Sequence, residues 1–179
     1  MEQSDILDRA IDAALALATE RPWRQVSLRE IAERAGIDFA ALYAAAPSKP
    51  LLLLRLSLRL DRAALATAST ASDDVHDRLF DATMARVEAM EAHRLALTAM
   101  AKGDGVLAVA PHLPLTARAI LEAAGVTATP PRLAAMTLVW ARIARVWRDD
   151  EGALNRTMAE IDKRLKQMRE RLGRIGAGF

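Results

Sequence analysis

The residues that most often carry out catalysis or bind metals are sparse in this chain and poorly spaced. There is no cysteine, and His76, His93 and His112 have no ligand-type partner three or four residues away that would complete a metal site. No Ser-His-Asp order can be assigned, and no glycine-rich phosphate loop occurs. The acidic run at 149–151 is better explained as a helix terminus than as a catalytic cluster. The sequence therefore predicts no enzyme, no metal and no cofactor.

A more specific spacing lies between residues 27 and 49. Ser27 and Glu30 form an S-x-x-E capping box, which starts a helix, and Gly36 is suited to the left-handed conformation that ends one. Asp38 can cap a short third helix that Pro47 stops. This order of helix, glycine-containing turn and short helix is typical of a DNA-reading helix-turn-helix. Its second helix would enter the major groove, which is wide enough to admit it.

The remaining chain is also predicted to be helical. Apolar residues recur at three- and four-residue intervals, and no segment alternates with the two-residue period of a strand. Further helices are predicted at 5–20, 48–66, 75–92, 93–102, 115–124, 132–148 and, with heptad-like spacing, 154–172, with a linker at 67–74 and a break at 103–105. We therefore expect an all-α fold of about nine helices, with a helix-turn-helix head at 1–48 and a C-terminal helical bundle at 49–179.

The residues around this motif resemble a known family. The run S-L-R-E-I-A-E-R-A-G-I, then L-Y, then P-S-K and a leucine-rich helix look like the TetR family of transcriptional regulators, over roughly the first third of the chain. The resemblance implies phosphate contacts from Ser27, Arg29, Tyr43 and Lys49, the last through its side chain or its backbone amide. It places base reading on the outward side of 38–45, which includes Asp38, Phe39, Ala40 and Ala41.

The chain departs from the family pattern within the reading helix. Ala40 and Ala41 stand where the family commonly has a small residue and Thr, and Ala46 stands where it commonly has an aromatic residue. No cation occurs from 38 to 46, so we expect few direct hydrogen bonds from the side chains of this helix to the bases. The small Ala46 also predicts a packing gap, which leaves Phe39 either filling that gap or exposed on the recognition surface.

The composition restricts the class of protein. Hydrophobic residues make up 52% and aromatic residues only 4%, so the core must consist mainly of Ala, Leu, Ile, Val and Met, which favours helix. The formal net charge is +2, so bulk charge gives little support for nucleic-acid binding. The absence of cysteine fits a reducing compartment. With no segment typical of a signal peptide or a membrane span, we expect a soluble, cytoplasmic protein.

The predicted body contains candidates for a ligand pocket. Methionine is adaptable, and large apolar side chains can form pocket walls, although both fill ordinary cores equally well. For Trp140 and Trp147, seven residues apart on one helical face, core or dimer packing is the favoured interpretation over a ligand wall. The candidate pocket residues are Met84, Val87, Met100, Leu121, Met136 and Trp140.

The C-terminal part carries a second, looser resemblance. The segments beginning at Asp77, around Gly125 and ending at Glu151 are similar to ubiquinone-biosynthesis accessory proteins that use a TetR-like fold to hold lipids. That resemblance implies a vestigial head and a C-terminal amphipathic helix that contacts membrane. Such a helix would combine Met158, Ile161, Leu165 and Met168 with Arg164, Lys166, Arg169, Arg171 and Arg174. The alternative is an apolar face packed within the fold or across a dimer, beside a solvated basic face.

Two functional hypotheses follow. The first is a homodimeric TetR-type regulator, a repressor, whose heads bind a double-stranded DNA operator and whose body binds an apolar small-molecule effector that changes the spacing of the heads. The second is a lipid-binding accessory protein of ubiquinone biosynthesis with a vestigial head.

Overall fold

In the computed structural model, residues 3–70, 72–102, 110–150 and 154–179 are described. These residues form nine α-helices, three short 3-10 helices and no β-strand. The α-helices are α1 (Gln3–Glu20), α2 (Leu28–Ala35), α3 (Phe39–Ala45), α4 (Lys49–Ala66), α5 (Val75–Glu91), α6 (Arg94–Lys102), α7 (Leu113–Ala123), α8 (Pro130–Arg148) and α9 (Asn155–Arg174). The predicted break at 103–105 lies outside the described residues.

Internal contacts divide the chain into two compact units. Unit 1 comprises residues 1–58 and 93–111, and unit 2 comprises residues 59–92 and 112–179. The predicted boundary between head and body, at residue 48, therefore differs from this division, because the first half of α4 and all of α6 belong to unit 1. The boundary between the units falls inside α4, between Leu58 and Arg59.

Unit 1 is organised around α1. Helix α1 packs against α2, α3 and α6, and α2 also packs against α3. Its apolar residues follow the helical period, and Ala10, Ile11 and Ala14 are almost completely buried. Alanine at the contact positions lets neighbouring helices approach closely. A short 3-10 helix, Trp23–Gln25, turns the chain from α1 into α2 and buries Trp23.

Unit 2 is a bundle in which α8 packs against α7 and α9, while α5 packs against α7 and α9. Its core contains Ile120, Met136, Ile143 and Ile161, all completely buried. The predicted linker 67–74 includes a 3-10 helix, Thr67–Thr70, which packs against α5.

Two predicted helix starts lie two residues too late, because prolines that belong to the first turn of each helix were placed before it. Helix α7 begins at Leu113, with Pro114 in its first turn, and α8 begins at Pro130 rather than at residue 132. Proline fits there because the first-turn N–H groups have no acceptor within the helix. Leu154 lies just outside α9, with a φ of 53°.

The membrane interpretation of α9 does not agree with the packing. Ile161, Leu165, Met168 and Leu172 are at most 3% exposed because this face lies against α5 and α8. Inserting them into a membrane would remove that face from the core of unit 2. The packing therefore favours the alternative of an apolar face packed within the fold, although Met158 at the start of α9 is 42% exposed. Among the described residues, no helix is both long enough and apolar enough to cross a bilayer.

Candidate nucleic-acid interface

The predicted capping box at the start of α2 is present. Ser27 Oγ accepts a hydrogen bond from the Glu30 amide at 3.2 Å, and the Ser27 amide donates to Glu30 Oε2 at 2.8 Å. The Ser27 hydroxyl also donates to Glu30 Oε2 at 2.7 Å. These hydrogen bonds, first that from the Ser27 amide, lower the pKa of Glu30. The amide and the hydroxyl of Ser27 both donate to Glu30. The predicted contact with phosphate therefore requires one of them to give up its hydrogen bond to Glu30.

The turn between α2 and α3 is fixed by Gly36 and by an arginine from α1. Gly36 adopts a φ of 62°, a left-handed conformation that is strained for other residues. Arg9 Nη2 donates to the Ala35 carbonyl at 2.6 Å and to the Gly36 carbonyl at 3.0 Å. Arg9 therefore satisfies carbonyls at the end of α2 and links it to α1. Sequence reasoning did not single out Arg9, because only the fold brings residues so far apart in the chain together.

Helix α3 has one buried and one exposed side. Asp38 caps it by accepting from the Ala41 amide at 2.9 Å. Leu42 and Ala46 are completely buried, whereas Ala40 and Ala44 are exposed and Tyr43 is 54% exposed. The expected contacts of this helix with bases are therefore sterically available, while its inward residues anchor it to the head.

Phe39 lies on the outer side of α3 and is partly exposed. Of the two alternatives that the sequence left open, the structure thus favours a partly exposed Phe39 over one that fills the predicted gap at Ala46. The exposed Arg29 guanidinium lies 4.8 Å from the centroid of the Phe39 ring. The Phe39 and Tyr43 ring centroids are 6.0 Å apart, with the rings tilted by 58°. Arg29, Phe39 and Tyr43 form one group, which we call the recognition cluster.

Lys49 turns its side chain toward the loop before α2. Its Nζ donates to the carbonyls of Trp23 at 2.9 Å and Val26 at 2.8 Å, and lies 4.7 Å from the centroid of the Trp23 ring. These contacts are structural ones within unit 1. Of the two predicted routes from Lys49 to phosphate, the geometry favours the backbone amide at the start of α4.

The predicted pocket residues do not all fall in one unit. Met100 lies in unit 1, while Met84, Val87, Leu121, Met136 and Trp140 lie in unit 2. Val87, Leu121 and Met136 are completely buried, and Met84 is half-buried. A separate open cleft of about 470 Å³ occurs in unit 1, lined by residues 18–24 with Ala99 and Lys102. None of the predicted pocket residues lines this cleft.

Unit 2 contains a buried polar group that the sequence did not reveal. Asp61 Oδ1 accepts from Arg86 Nε at 2.6 Å and from Thr116 Oγ1 at 2.9 Å. The Arg86 guanidinium lies 5.4 Å from the Trp140 ring centroid. Burial lowers the pKa of Arg86, against the opposing attraction of Asp61. We call Asp61, Arg86, Thr116 and the neighbouring His112 the polar centre.

Within the polar centre, the buried atoms Asp61 Oδ2 and His112 Nδ1 have no hydrogen-bond partner among the described residues. Burial lowers the pKa of His112, and Asp61 partly opposes this effect. The described part of the chain contains no group of three or more His, Asp or Glu residues that could hold a metal ion.

These features define a class of protein. The described residues build an all-helical chain, and unit 1 contains a helix-turn-helix whose second helix is anchored on one side and exposed on the other. This is the arrangement of a helix-turn-helix DNA-binding head.

The comparisons show which known proteins this head is similar to. Residues 10–56 match the family model described as "Bacterial regulatory proteins, tetR family". The chain is similar to a TetR transcriptional regulator from Rhodococcus sp. RHA1, with a TM-score of 0.70 and 20% identity over 94% of this chain and 97% of that one. It is also similar to the TetR transcriptional regulator from Nitrosomonas europaea ATCC 19718, with a TM-score of 0.70 and 21% identity over 90% and 97% of the two chains.

Comparison with curated protein sequences finds no significant match. The matched head and the solved structures confirm the predicted resemblance to the TetR family and the predicted TetR-like, all-α fold. The looser resemblance to lipid-holding accessory proteins receives no support from these comparisons.

Proposed function

We propose that this protein is a cytoplasmic, homodimeric TetR-type regulator that binds operator DNA through unit 1 and represses transcription until a small-molecule effector binds unit 2. One observation carries the DNA-binding part of the proposal. Helix α3 is anchored by the buried Leu42 and Ala46 and presents Ala40, Tyr43 and Ala44 to solvent, as a major-groove helix requires.

The phosphate contacts in this proposal come from the edges of the motif. Tyr43 is exposed and can donate its phenolic hydroxyl to a phosphate oxygen. Arg29 is also exposed, at the first turn of α2. The amides at the start of α2 and α4 add donors and the positive end of each helix dipole. In a dimer, two such heads would meet successive major grooves about 34–36 Å apart.

The effector part of the proposal rests on the polar centre. Val87, Met136 and Trp140 are buried apolar residues of unit 2, and Trp140 borders Arg86. A buried carboxylate oxygen and a buried imidazole nitrogen without partners are costly unless a polar group satisfies them. An effector with an apolar body and one hydrogen-bonding group fits this composition. Repression, rather than activation, is proposed from the resemblance to the TetR family.

A fluorescence titration tests DNA binding directly. The purified protein is titrated against labelled duplex from upstream of its own gene and against random duplex of equal length, at several salt concentrations. The proposal expects tighter binding to the upstream duplex, and equal affinity for both duplexes at every salt concentration would refute it.

A pair of matched variants places that binding on α3. Ala40→Glu puts a carboxylate on the exposed side of the reading helix, where it would repel the phosphate backbone. Ala92→Glu introduces the same side chain at an exposed position after α5. Ala40→Glu should weaken binding at least tenfold, and Ala92→Glu should leave it unchanged. Equal effects of the two variants would show that α3 is not the DNA-binding element.

A further inference from the structure

The outer side of α3 offers the major groove an unusual chemistry. From Asp38 to Ala46 there is no cation and no amide side chain, and the one acidic side chain is engaged in capping the helix. The bidentate contacts by which Arg, Asn or Gln identify G or A are therefore absent from this helix. The groups that it presents are the aromatic ring of Phe39, the phenol of Tyr43 and the methyl groups of Ala40 and Ala44.

Phe39 is held in this position by its neighbours. The Arg29 guanidinium lies 4.8 Å from its ring centroid, and the Tyr43 ring lies 6.0 Å away on the next turn of α3. A cation over an aromatic face is favourable, and together with the tilted Tyr43 ring it restricts the Phe39 side chain before any partner binds. Burying a partly exposed phenylalanine in a groove then costs less conformational entropy.

In the major groove, thymine is the base that presents an apolar group, its C5-methyl, and Phe and Ala are residue types that contact it. We infer that Phe39 determines specificity by packing against thymine methyl groups in each half-site, with Ala40 alongside, and that Arg29 acts as a positioning residue for Phe39. This inference rests on the proposed DNA-binding function and narrows it to operators with thymines at fixed positions.

Replacement of thymine by deoxyuracil provides the test, since it removes the methyl group and leaves base pairing intact. A duplex is first selected from a random library with the full-length protein, and each thymine of a half-site is then replaced in turn. We expect one or two positions per half-site at which the replacement weakens binding about fourfold, the value of one buried methyl group. At the other thymines the affinity should not change.

Variants assign the methyl contact to Phe39. Phe39→Ala should lose most of the difference in affinity between the thymine and uracil duplexes, whereas Phe39→Leu, which keeps a larger apolar side chain, should retain more of it. Thermal unfolding of each variant confirms that the head remains folded. If Phe39→Ala preserves the full thymine preference, the assignment is wrong.

Arg29→Ala separates the two roles of Arg29. As a positioning residue, Arg29 is needed for thymine preference. Its loss should therefore reduce the ratio of the affinity for the thymine duplex to that for the uracil duplex toward one. If Arg29 contacts only phosphate, Arg29→Ala leaves this ratio unchanged and lowers the slope of log affinity against log salt by about one unit. That outcome would exclude the positioning role of Arg29. A selected duplex that tolerates uracil at every position overturns this inference while leaving the proposed function intact. Failure to select any duplex overturns both.

Discussion

In unit 2, Arg86 Nε donates to Asp61 Oδ1 at 2.6 Å, and both side chains are at most 5% exposed. An ion pair at this depth has lost most of its hydration, and its stability depends on each charge keeping its partner. Thr116 shares the same carboxylate oxygen, at 2.9 Å, so the pair belongs to a small hydrogen-bonded group. This group connects α4, α5 and α7 within unit 2.

The first prediction concerns the loss of one charge. Arg86→Met leaves the Asp61 carboxylate buried without its cation, and should lower the free energy of unfolding by about 3–5 kcal/mol. The double variant Asp61→Leu with Arg86→Met removes both charges and should recover most of that loss. Urea unfolding, monitored by circular dichroism, measures the free energy of unfolding of the single and the double variant. A double variant less stable than Arg86→Met would contradict this account.

The second prediction concerns pH. Burial lowers the pKa of His112 in the folded state, below the value of about 6.5 expected in the unfolded chain. As the pH falls below about 6.5, the unfolded chain therefore takes up a proton on this residue before the folded protein does, so the folded state loses stability. Above that pH the contribution is fully present and constant.

His112→Gln removes this titration and serves as its control. Urea midpoints are measured at several pH values between about 5 and 8 for the wild type and the variant. The wild type should lose stability more steeply on the acid side, and the two curves should run parallel above about pH 7. Parallel curves over the whole range would show that burial of His112 has no such effect.

Local sequence signals predicted the helix-turn-helix because its determinants lie close together in the chain. Ser27 with Glu30, Gly36, and Asp38 act within one or two helical turns, and the structure shows each in its predicted capping or turn role. The contacts of the site residues were harder to predict from the sequence. Lys49 contacts carbonyls more than twenty residues earlier in the sequence, and nothing near it in sequence indicates that contact.

The polar centre illustrates the same limit. Asp61, Arg86 and Thr116 come from three helices, and each looks in sequence like an ordinary polar residue on an amphipathic helix. Their burial is a property of helix packing, which a single sequence does not determine. The apolar residues of α9 were predicted more reliably, because the heptad-like spacing defines one face whatever it packs against.

The third prediction tests the structural role of Lys49. Lys49→Met removes the hydrogen bonds to the Trp23 and Val26 carbonyls, and should lower the free energy of unfolding by about 2 kcal/mol. Because the side chain points into the loop, the slope of log affinity for DNA against log salt should stay unchanged. Arg24→Met, at an exposed position in the same loop, should change stability by less than about 0.5 kcal/mol. A fall of about one unit in the salt slope of Lys49→Met would instead indicate a phosphate contact.

The fourth prediction concerns Ala46, where the family commonly has an aromatic residue. Ala46 is completely buried. Because Ala46 has no exposed surface, Ala46→Phe overfills the head and should destabilise it by about 1–3 kcal/mol. Ala44→Phe, on the exposed side of α3, should change stability by less than about 0.5 kcal/mol. A more stable Ala46→Phe protein would show that the predicted packing gap is real.

The last prediction concerns the proposed homodimer. Leu138 lies on α8 of unit 2 and is 74% exposed. The same helix is linked to α9 by an ion pair between Arg142 and Glu160 at 3.1 Å. We expect this leucine to be buried against a second copy of the chain, because its burial in an interface would remove apolar area from water.

Leu138→Glu would place a charge in that interface, and should raise the dimer dissociation constant on the order of 30-fold or more, equivalent to about 2 kcal/mol. Leu95→Glu is the matched control, because Leu95 is 77% exposed on α6 of unit 1 and lies outside the proposed interface. Sedimentation velocity over a range of concentrations should show monomers for Leu138→Glu and dimers for the control and the wild type. Since two linked heads are needed to span an operator, Leu138→Glu should also lose specific DNA binding while its thermal unfolding remains cooperative. Dimers of unchanged affinity in Leu138→Glu would exclude this face of α8 as the interface.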